Sequence, residues 1–327
     1  MKKSVAIVGA TGYTGAELIK ILINHPYFEI KTLFSSNGEE KIEEIYPAFK
    51  GVFEADIKKA EIDEIAKHDL VFLAVPHKTA MAFVKELYGK TKIVDFSADY
   101  RLNLENYEEY YCPHIDTNNL KNAVYGLPEY FREEIKNSNL VANPGCYPTA
   151  TLLGLLPFAD FIEGNVFVDA KSGVSGAGKK LSETTHFVTI DENMFAYNPI
   201  KHRHSIEIKE KSGIENINFV PHLLPINRGM MISIYATLKE DIDVTNILKE
   251  AYKNEKFIRI KDKPVDIKSV AGTNFCDIFV MKNGNSLFIN TAIDNLLRGA
   301  STQAVVNANI MMGYDESTSI PQIAYIP

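Results

Sequence analysis

The chain has 327 residues, of which 46% are hydrophobic and 24% charged, and its formal net charge is −7. That length allows about two domains of ordinary size, and the composition is that of a soluble globular protein. The negative balance argues against nonspecific binding to nucleic acid, and no run reaches the about 18 apolar residues of a membrane span, so neither is expected as a partner.

The opening MKKSVAIVGATGYTG has the lysines of a signal peptide, but SVAIV is too short for its apolar region and runs straight into a glycine turn. It reads as a first strand, turn and helix. Gly9, Gly12 and Gly15 make G-x-x-G-x-x-G, a variant of the dinucleotide fingerprint in which missing side chains let a diphosphate approach a helix N-terminus. Thr11, Tyr13 and Thr14 share that turn. The second strand, FEIKTLFSS, ends in Ser35 and Ser36, where an NAD-preferring fold carries an acidic residue. Two hydroxyls and no carboxylate accommodate a 2′-phosphate, so NADP is the expected cofactor; the alternative is that the serines merely make a turn.

The strand LVFLAV leads to Pro76-His77, and KIVDF leads to Ser97, Ala98 and Asp99. Strands alternating with helices predict an α/β fold with a Rossmann-type, doubly wound parallel sheet and ligands at the carboxyl ends of its strands. A further apolar strand ends in Asn143-Pro144-Gly145, which excludes helix up to that point, and the apolar run after it starts a buried helix. Cys146 therefore falls at a helix N-terminus, where unpaired N–H groups and the helix dipole favour a thiolate. A cysteine as plain core packing is the competing reading. The topology brings this thiol and the nicotinamide end of a cofactor to one crevice. The other two cysteines, Cys112 and Cys276, lie far from it in sequence, and three spaced thiols fit a reducing cytoplasm. No zinc-like spacing occurs, and no metal is expected.

Beyond about residue 158 the chain turns rich in β-branched strands, which predicts an antiparallel α+β domain for substrate and oligomerisation. The expected division is 1–146 and 298–327 for the nucleotide domain and 147–297 for the second. In KSGVSGAGKK, backbone N–H groups and Lys171 suit a phosphate or carboxylate, unless the segment is only a linker. DVTNILKEAYKN reads as a surface helix, and DNLLRGASTQAVVNANIMMG as one long helix returning to the first domain. His202-Arg203-His204 offers proton transfer near neutrality and a guanidinium fork for an anion; an ordinary polar surface is the alternative. On a strand the two histidines share a face, whereas on a helix all three side chains fan out. His25, His68, His114, His186 and His222 read as structural.

GATGYTGAEL, AVPH, VDFSADYRL, VYGLPE, NPGCYPT, KSGVSGAG, HRH-S-IEI and DNLLRGASTQAV, in this order, resemble the N-acetyl-γ-glutamyl-phosphate reductase family of the aspartate-semialdehyde dehydrogenase superfamily. The resemblance runs through nearly the whole chain. It implies an NADP-dependent acyl-phosphate reductase: an acyl phosphate becomes a semialdehyde through a cysteine thioester, with release of inorganic phosphate, as the third step from glutamate to arginine. Cys146 would be the nucleophile, and His202 or His204 the acid/base group, with His202 favoured. The cofactor positions carried over are Gly9, Thr11, Gly12, Tyr13, Thr14, Gly15, Ser35, Ser36, Pro76, His77, Ser175, Gly176 and Asn295. Those for substrate are Ser97, Arg101, Asn143, Lys171, Ser172, Tyr197 and Arg203. A homodimer or homotetramer is implied. The chain departs from the family pattern in having Ser205 and Ile206 where a proline is usual, and in lacking the frequent Ser-Arg after the second strand. Aspartate-semialdehyde dehydrogenase has different motifs around the cysteine and histidine. The same chemistry on a carrier-bound aminoadipyl or glutamyl phosphate would want a basic surface, and a non-catalytic NADP sensor would have no use for the cysteine and histidines.

Overall fold

Two compact units, each built on one sheet, make up the chain in a computed structural model that describes residues 1–326. The first unit holds Met1–Pro144 and Ala300–Ile320; the second holds Gly145–Gly299 and the residues from Pro321. Cys146 and the C-terminal tail thus lie in the second unit, where the sequence division had them in the first. Cys146 opens a helix that packs on the second sheet, and the tail is held there by Tyr325, whose N–H donates to the Ala271 carbonyl at 2.9 Å. Pro327 is outside the described residues.

In the first unit, strands β1 (Lys3–Val8), β2 (Phe28–Ser35), β3 (Glu40–Lys41), β4 (Asp56–Lys59), β5 (Leu70–Leu73), β6 (Lys92–Asp95), β7 (Val124–Tyr125) and β8 (Leu140–Ala142) form one sheet. Its order is β3-β4-β2-β1-β5-β6-β8-β7, and every pair except β3–β4 is parallel. A strand in the middle of a parallel sheet is covered on both faces and is apolar throughout: β5, Leu-Val-Phe-Leu, is 0% exposed along its length. Helices α1 (Tyr13–Leu22), α2 (Ala80–Leu87) and α3 (Pro128–Asn137) belong to this unit. From β1 the strand order runs to β2 on one side and to β5 on the other, and this reversal is where such sheets bind ligands.

The second unit begins with α4 (Cys146–Leu155), followed by β9 (Ile162–Gly173), β10 (Phe195–Ala196), α5 (His204–Ser212), β11 (Ile217–Leu224) and β12 (Met230–Leu238). Then come α6 (Val244–Ala251), β13 (Ile258–Ile260), β14 (Cys276–Asn283) and β15 (Ser286–Ile293). The sheet order is β10-β11-β9-β12-β15-β14-β13. It is mixed rather than wholly antiparallel, because β9–β11 and β13–β14 are parallel pairs. Parallel neighbours require a crossover connection, and α5 lies in the one between β9 and β11. Helix α6 starts as its sequence predicts, with Asp243 accepting from the Asn246 N–H at 3.0 Å.

Helix α4 lies on one face of this sheet: a Cβ on Gly154 would stand 2.8 Å from Thr291 Cγ2 and 3.0 Å from Ile289 Cγ2. Alternation along β9 buries Val166, Val168 and Ala170 toward that face and leaves Phe167 exposed on the other. Tyr235 and Met281 are exposed as well. The expected long C-terminal helix is present from Leu297 to Met311, its start a π-helical turn, Leu297–Ser301, leading into α7 (Thr302–Met311), which is buried on all sides. No helix among the described residues is long and apolar enough to cross a membrane.

Candidate active site

At the end of β1 the three glycines have three different jobs. Gly9 sits at φ +90°, and a Cβ there would fall 2.1 Å from the Ala74 carbonyl oxygen, so it makes the tight turn. A Cβ on Gly15 would stand 2.6 Å from the Gly9 oxygen, so it lets helix and strand pack. Gly12 alone meets nothing nearer than 3.6 Å, and it caps α1 with no side-chain hydrogen bond. That leaves an open backbone cradle at a helix N-terminus, the shape and polarity a diphosphate needs. Tyr46 braces the loop by donating to the Thr11 carbonyl at 2.9 Å, and Ser301 donates to the Thr14 carbonyl at 3.1 Å. Tyr13 is exposed.

Polar groups at the other strand ends largely satisfy one another. Ser35 is buried, and its Oγ accepts from the Gly38 N–H at 3.0 Å, while the exposed Ser36 donates to Asn37. After Pro76, His77 Nδ1 accepts from the Ala98 N–H at 2.9 Å. Ser97, Arg101 and Asn143, expected to meet substrate, turn inward. Ser97 donates to Asp95 and accepts from the Asp99 N–H. Arg101 donates from Nε to the Asn143 carbonyl at 2.7 Å and from Nη2 to the Phe96 carbonyl at 2.6 Å. Asn143 donates to the Ala300 carbonyl and accepts from Asn307. The reason is burial: all three are at most 5% exposed, and buried polar groups must be paired.

Cys146 is the first residue of α4, after the N-cap Gly145, and is the one residue of that helix not fully buried. The cap makes no side-chain bond of its own; Gly145 N–H donates to Oε1 of Glu207 at 3.0 Å, a carboxylate 1% exposed on α5. Gly299, in the π-turn, packs directly on the cysteine: a Cβ there would lie 2.6 Å from Cys146 Cβ. Asp294 and Asn295 hold that turn. Asp294 accepts from the Leu296 and Leu297 N–H groups, and Asn295 accepts from the Gly229 N–H and donates to Ser175 Oγ. Ser172, 1% exposed, donates to the Gly173 carbonyl, and Gly176 packs against its hydroxyl.

His202 and Arg203 precede α5, and His204 begins it, so the triplet lies at a helix start and not on a strand. The two imidazoles meet edge to face with centroids 4.8 Å apart, and Nδ1 of His202 accepts from the His204 N–H at 3.2 Å. Tyr147, Tyr197 and Phe219 surround His202, and burial, with Arg203 beside it, lowers its pKa to about 4. Tyr197 donates to the Tyr147 hydroxyl at 3.1 Å, and burial raises Tyr197 to about 12. Arg203 is exposed. Lys171 is displaced from its expected role: it projects from the face of β9 opposite α4 and pairs with Asp169, which also lies 3.2 Å from His222 Nδ1. Strand parity is the cause, since Ser172 takes the α4 face and Lys171 the other.

Residues 4–138 match a family model described as semialdehyde dehydrogenase, NAD binding domain, and residues 146–295 one described as semialdehyde dehydrogenase, dimerisation domain. An N-acetyl-gamma-glutamyl-phosphate reductase of a Sulfurovum species is 57% identical, covering 99% of both chains, and one of Methanococcus maripaludis is 42% identical, covering 97% of this chain and 98% of the relative. The chain belongs to the N-acetyl-γ-glutamyl-phosphate reductase family of semialdehyde dehydrogenases. Among solved structures, aspartate semialdehyde dehydrogenase II of Vibrio cholerae shares the fold with a TM-score of 0.72 at 16% identity, covering 96% of this chain and 99% of that one. The enzyme of Candida albicans, solved with NADP, aligns with a TM-score of 0.69 at 13% identity, covering 95% and 99%.

As a member of the N-acetyl-γ-glutamyl-phosphate reductase family, the chain is an oxidoreductase with a nicotinamide-nucleotide domain and a dimerisation domain. Two residues beside its cysteine escape a reading of motifs. Gly299 is a lone glycine inside a helical pattern, and nothing in its local sequence says that it meets Cys146. Glu207 follows His204 by one helical turn, and nothing in its local sequence says that it reaches Gly145.

Proposed function

We propose that this chain reduces N-acetyl-γ-glutamyl phosphate to N-acetylglutamate 5-semialdehyde with NADPH, through a thioester on Cys146. The observation that carries the reading is the setting of that cysteine: part exposed at the first position of an otherwise buried helix, with Gly299 leaving room at its Cβ. The N–H groups of the helix start favour its thiolate. The sulfur attacks the acyl carbon, the C–O bond to phosphate breaks, and inorganic phosphate leaves with the electron pair. When bound, reduced nicotinamide supplies a hydride equivalent to the thioester carbon. The backbone at Gly12, in the turn that Gly9 and Gly15 make possible, would hold the diphosphate of that cofactor, and the absence of an acidic side chain at Ser35 and Ser36 supports the phosphorylated form.

The resulting thiohemiacetal oxygen takes a proton from His204, which later recovers it as the C–S bond breaks and the aldehyde departs. His202 serves as its brace. Its Nδ1 accepts from the His204 N–H, and burial lowers its pKa to about 4, so little of it carries the second proton near neutrality. Arg203 is the exposed cation of the segment and suits the substrate carboxylate. The open sheet face around Phe167 and Tyr235 suits self-association.

The test runs the reaction in the oxidative direction with NADP and phosphate. N-Acetylglutamate semialdehyde is expected to be consumed at least a hundredfold more efficiently than aspartate or aminoadipate semialdehyde. Equal use of either competitor would refute the substrate, and no NADPH formation with any of them would refute the activity.

A further inference from the structure

If the cofactor is NADP, as proposed above, something at the end of β2 must favour a 2′-phosphate, and the loop there is poorly equipped for it. Residues 35–40, Ser-Ser-Asn-Gly-Glu-Glu, contain no cation and two carboxylates. Ser35 is committed to the Gly38 N–H, and Ser36 alone presents an exposed hydroxyl. The nearest cation in sequence, Lys41, lies on the antiparallel β3 with Asp56 as its register partner.

The sheet supplies another. Strand β4 runs parallel to β2, so both carboxyl ends reach the same edge, and the final residues of the two strands, Ser35 and Lys59, are register partners. The next N–H, that of Ala60, donates to the Ser35 carbonyl at 3.0 Å. Gly38, at φ +71°, rests on the same point: a Cβ there would lie 2.6 Å from Lys59 N. Register partners in a parallel pair share a face, so Lys59 stands on the side of Ser35, whereas Lys58 pairs with Phe34 on the other side. Lys59 is exposed, and no carboxylate pairs with its ammonium among the described residues.

We propose that Lys59 is the residue by which this chain distinguishes a 2′-phosphate from a 2′-hydroxyl on the adenosine ribose of its cofactor. An ammonium at this edge gives the phosphate a charge-assisted hydrogen bond that a hydroxyl cannot match. It also offsets Glu39 and Glu40, which would otherwise repel the extra charge.

Titration of the full chain with NADPH and with NADH, followed by reduced-nicotinamide fluorescence, reads this directly. Lys59→Ala should weaken NADPH about tenfold and leave NADH unchanged, the loss of one charge-assisted contact. Lys59→Arg should keep the preference, and Lys58→Ala should alter neither ligand. Unchanged NADPH binding in Lys59→Ala, or equal weakening of both nucleotides, overturns the assignment. Unmodified protein binding NADH as tightly as NADPH overturns the NADP reading beneath it instead.

Discussion

Replacing Gly299 by alanine adds a single methyl group, and the structure says where it goes. The new Cβ would stand 2.6 Å from Cys146 Cβ, 3.1 Å from its Cα and 3.5 Å from the Asp294 carbonyl oxygen. Non-bonded carbons settle at about 3.5–4.0 Å, so roughly 1 Å must be found between the π-turn and the start of α4. Gly299 has an ordinary negative-φ backbone, so alanine is not excluded by conformation, and the penalty is steric. Overpacking of this kind costs about 1–3 kcal/mol, which a protein of this size tolerates. The cost to chemistry is larger, because a shift of about 1 Å in a reacting group lowers the rate by about 10². Gly299→Ala should therefore remain folded, bind NADPH as before, and turn over about a hundredfold more slowly. Thermal melting, NADPH titration and steady-state kinetics separate the three, and alkylation of Cys146 by iodoacetamide should change rate in parallel with turnover. Turnover within twofold of the unmodified protein would show that Gly299 does not set the position of the nucleophile.

Cys146→Ser should abolish turnover while NADPH binding persists, because a hydroxyl without an adjacent base is a far poorer nucleophile; retained turnover would exclude the thioester. His204→Asn should lower kcat by about 10²–10⁴ with little change in KM, and His202→Asn should cost less than about tenfold; the opposite order would return the proton to His202. Glu207→Ala leaves the buried Gly145 N–H without its acceptor and should destabilise by about 1–3 kcal/mol, read as a lower melting temperature, whereas Glu207→Gln retains an acceptor oxygen and should lose less. His25 gives a pH signature. It is buried, with Nδ1 accepting from the Tyr27 and Phe28 N–H groups, and burial lowers its pKa from 6.5 to about 4. Its contribution is complete above pH 6.5, is lost as pH falls, and levels off below 4. Between pH 7 and 5 the loss is about 2 kcal/mol by linkage, and His25→Gln, though less stable at pH 7, should show that much less acid sensitivity in denaturant titrations. An unchanged pH dependence would show that His25 is not its source.

Much of the first unit was legible because its signals are local. A strand, a glycine turn and a helix follow from residues within one stretch, and Gly9 needs φ +90° whatever surrounds it. Cys146 opens a helix for the same kind of reason: proline and glycine before it forbid helix, and the apolar run after it demands burial. The Asp243 cap of α6 is equally local. What tertiary structure decided is where polar side chains point once distant segments meet. Ser97, Arg101 and Asn143 look like ligand contacts at strand ends, yet each faces inward because buried backbone and carboxylate groups there have to be paired. Lys171 is aimed away from α4 by the parity of β9 together with the choice of face that α4 covers, and only the second of these depends on the fold. The mixed pairing of the second sheet was hidden because strand periodicity reports burial, not direction. Gly299 reaches the cysteine, and Glu207 the glycine before it, from segments far along the chain. A sequence shows that such residues are present, but contact between them exists only after apolar burial has brought α5 and the π-turn against α4.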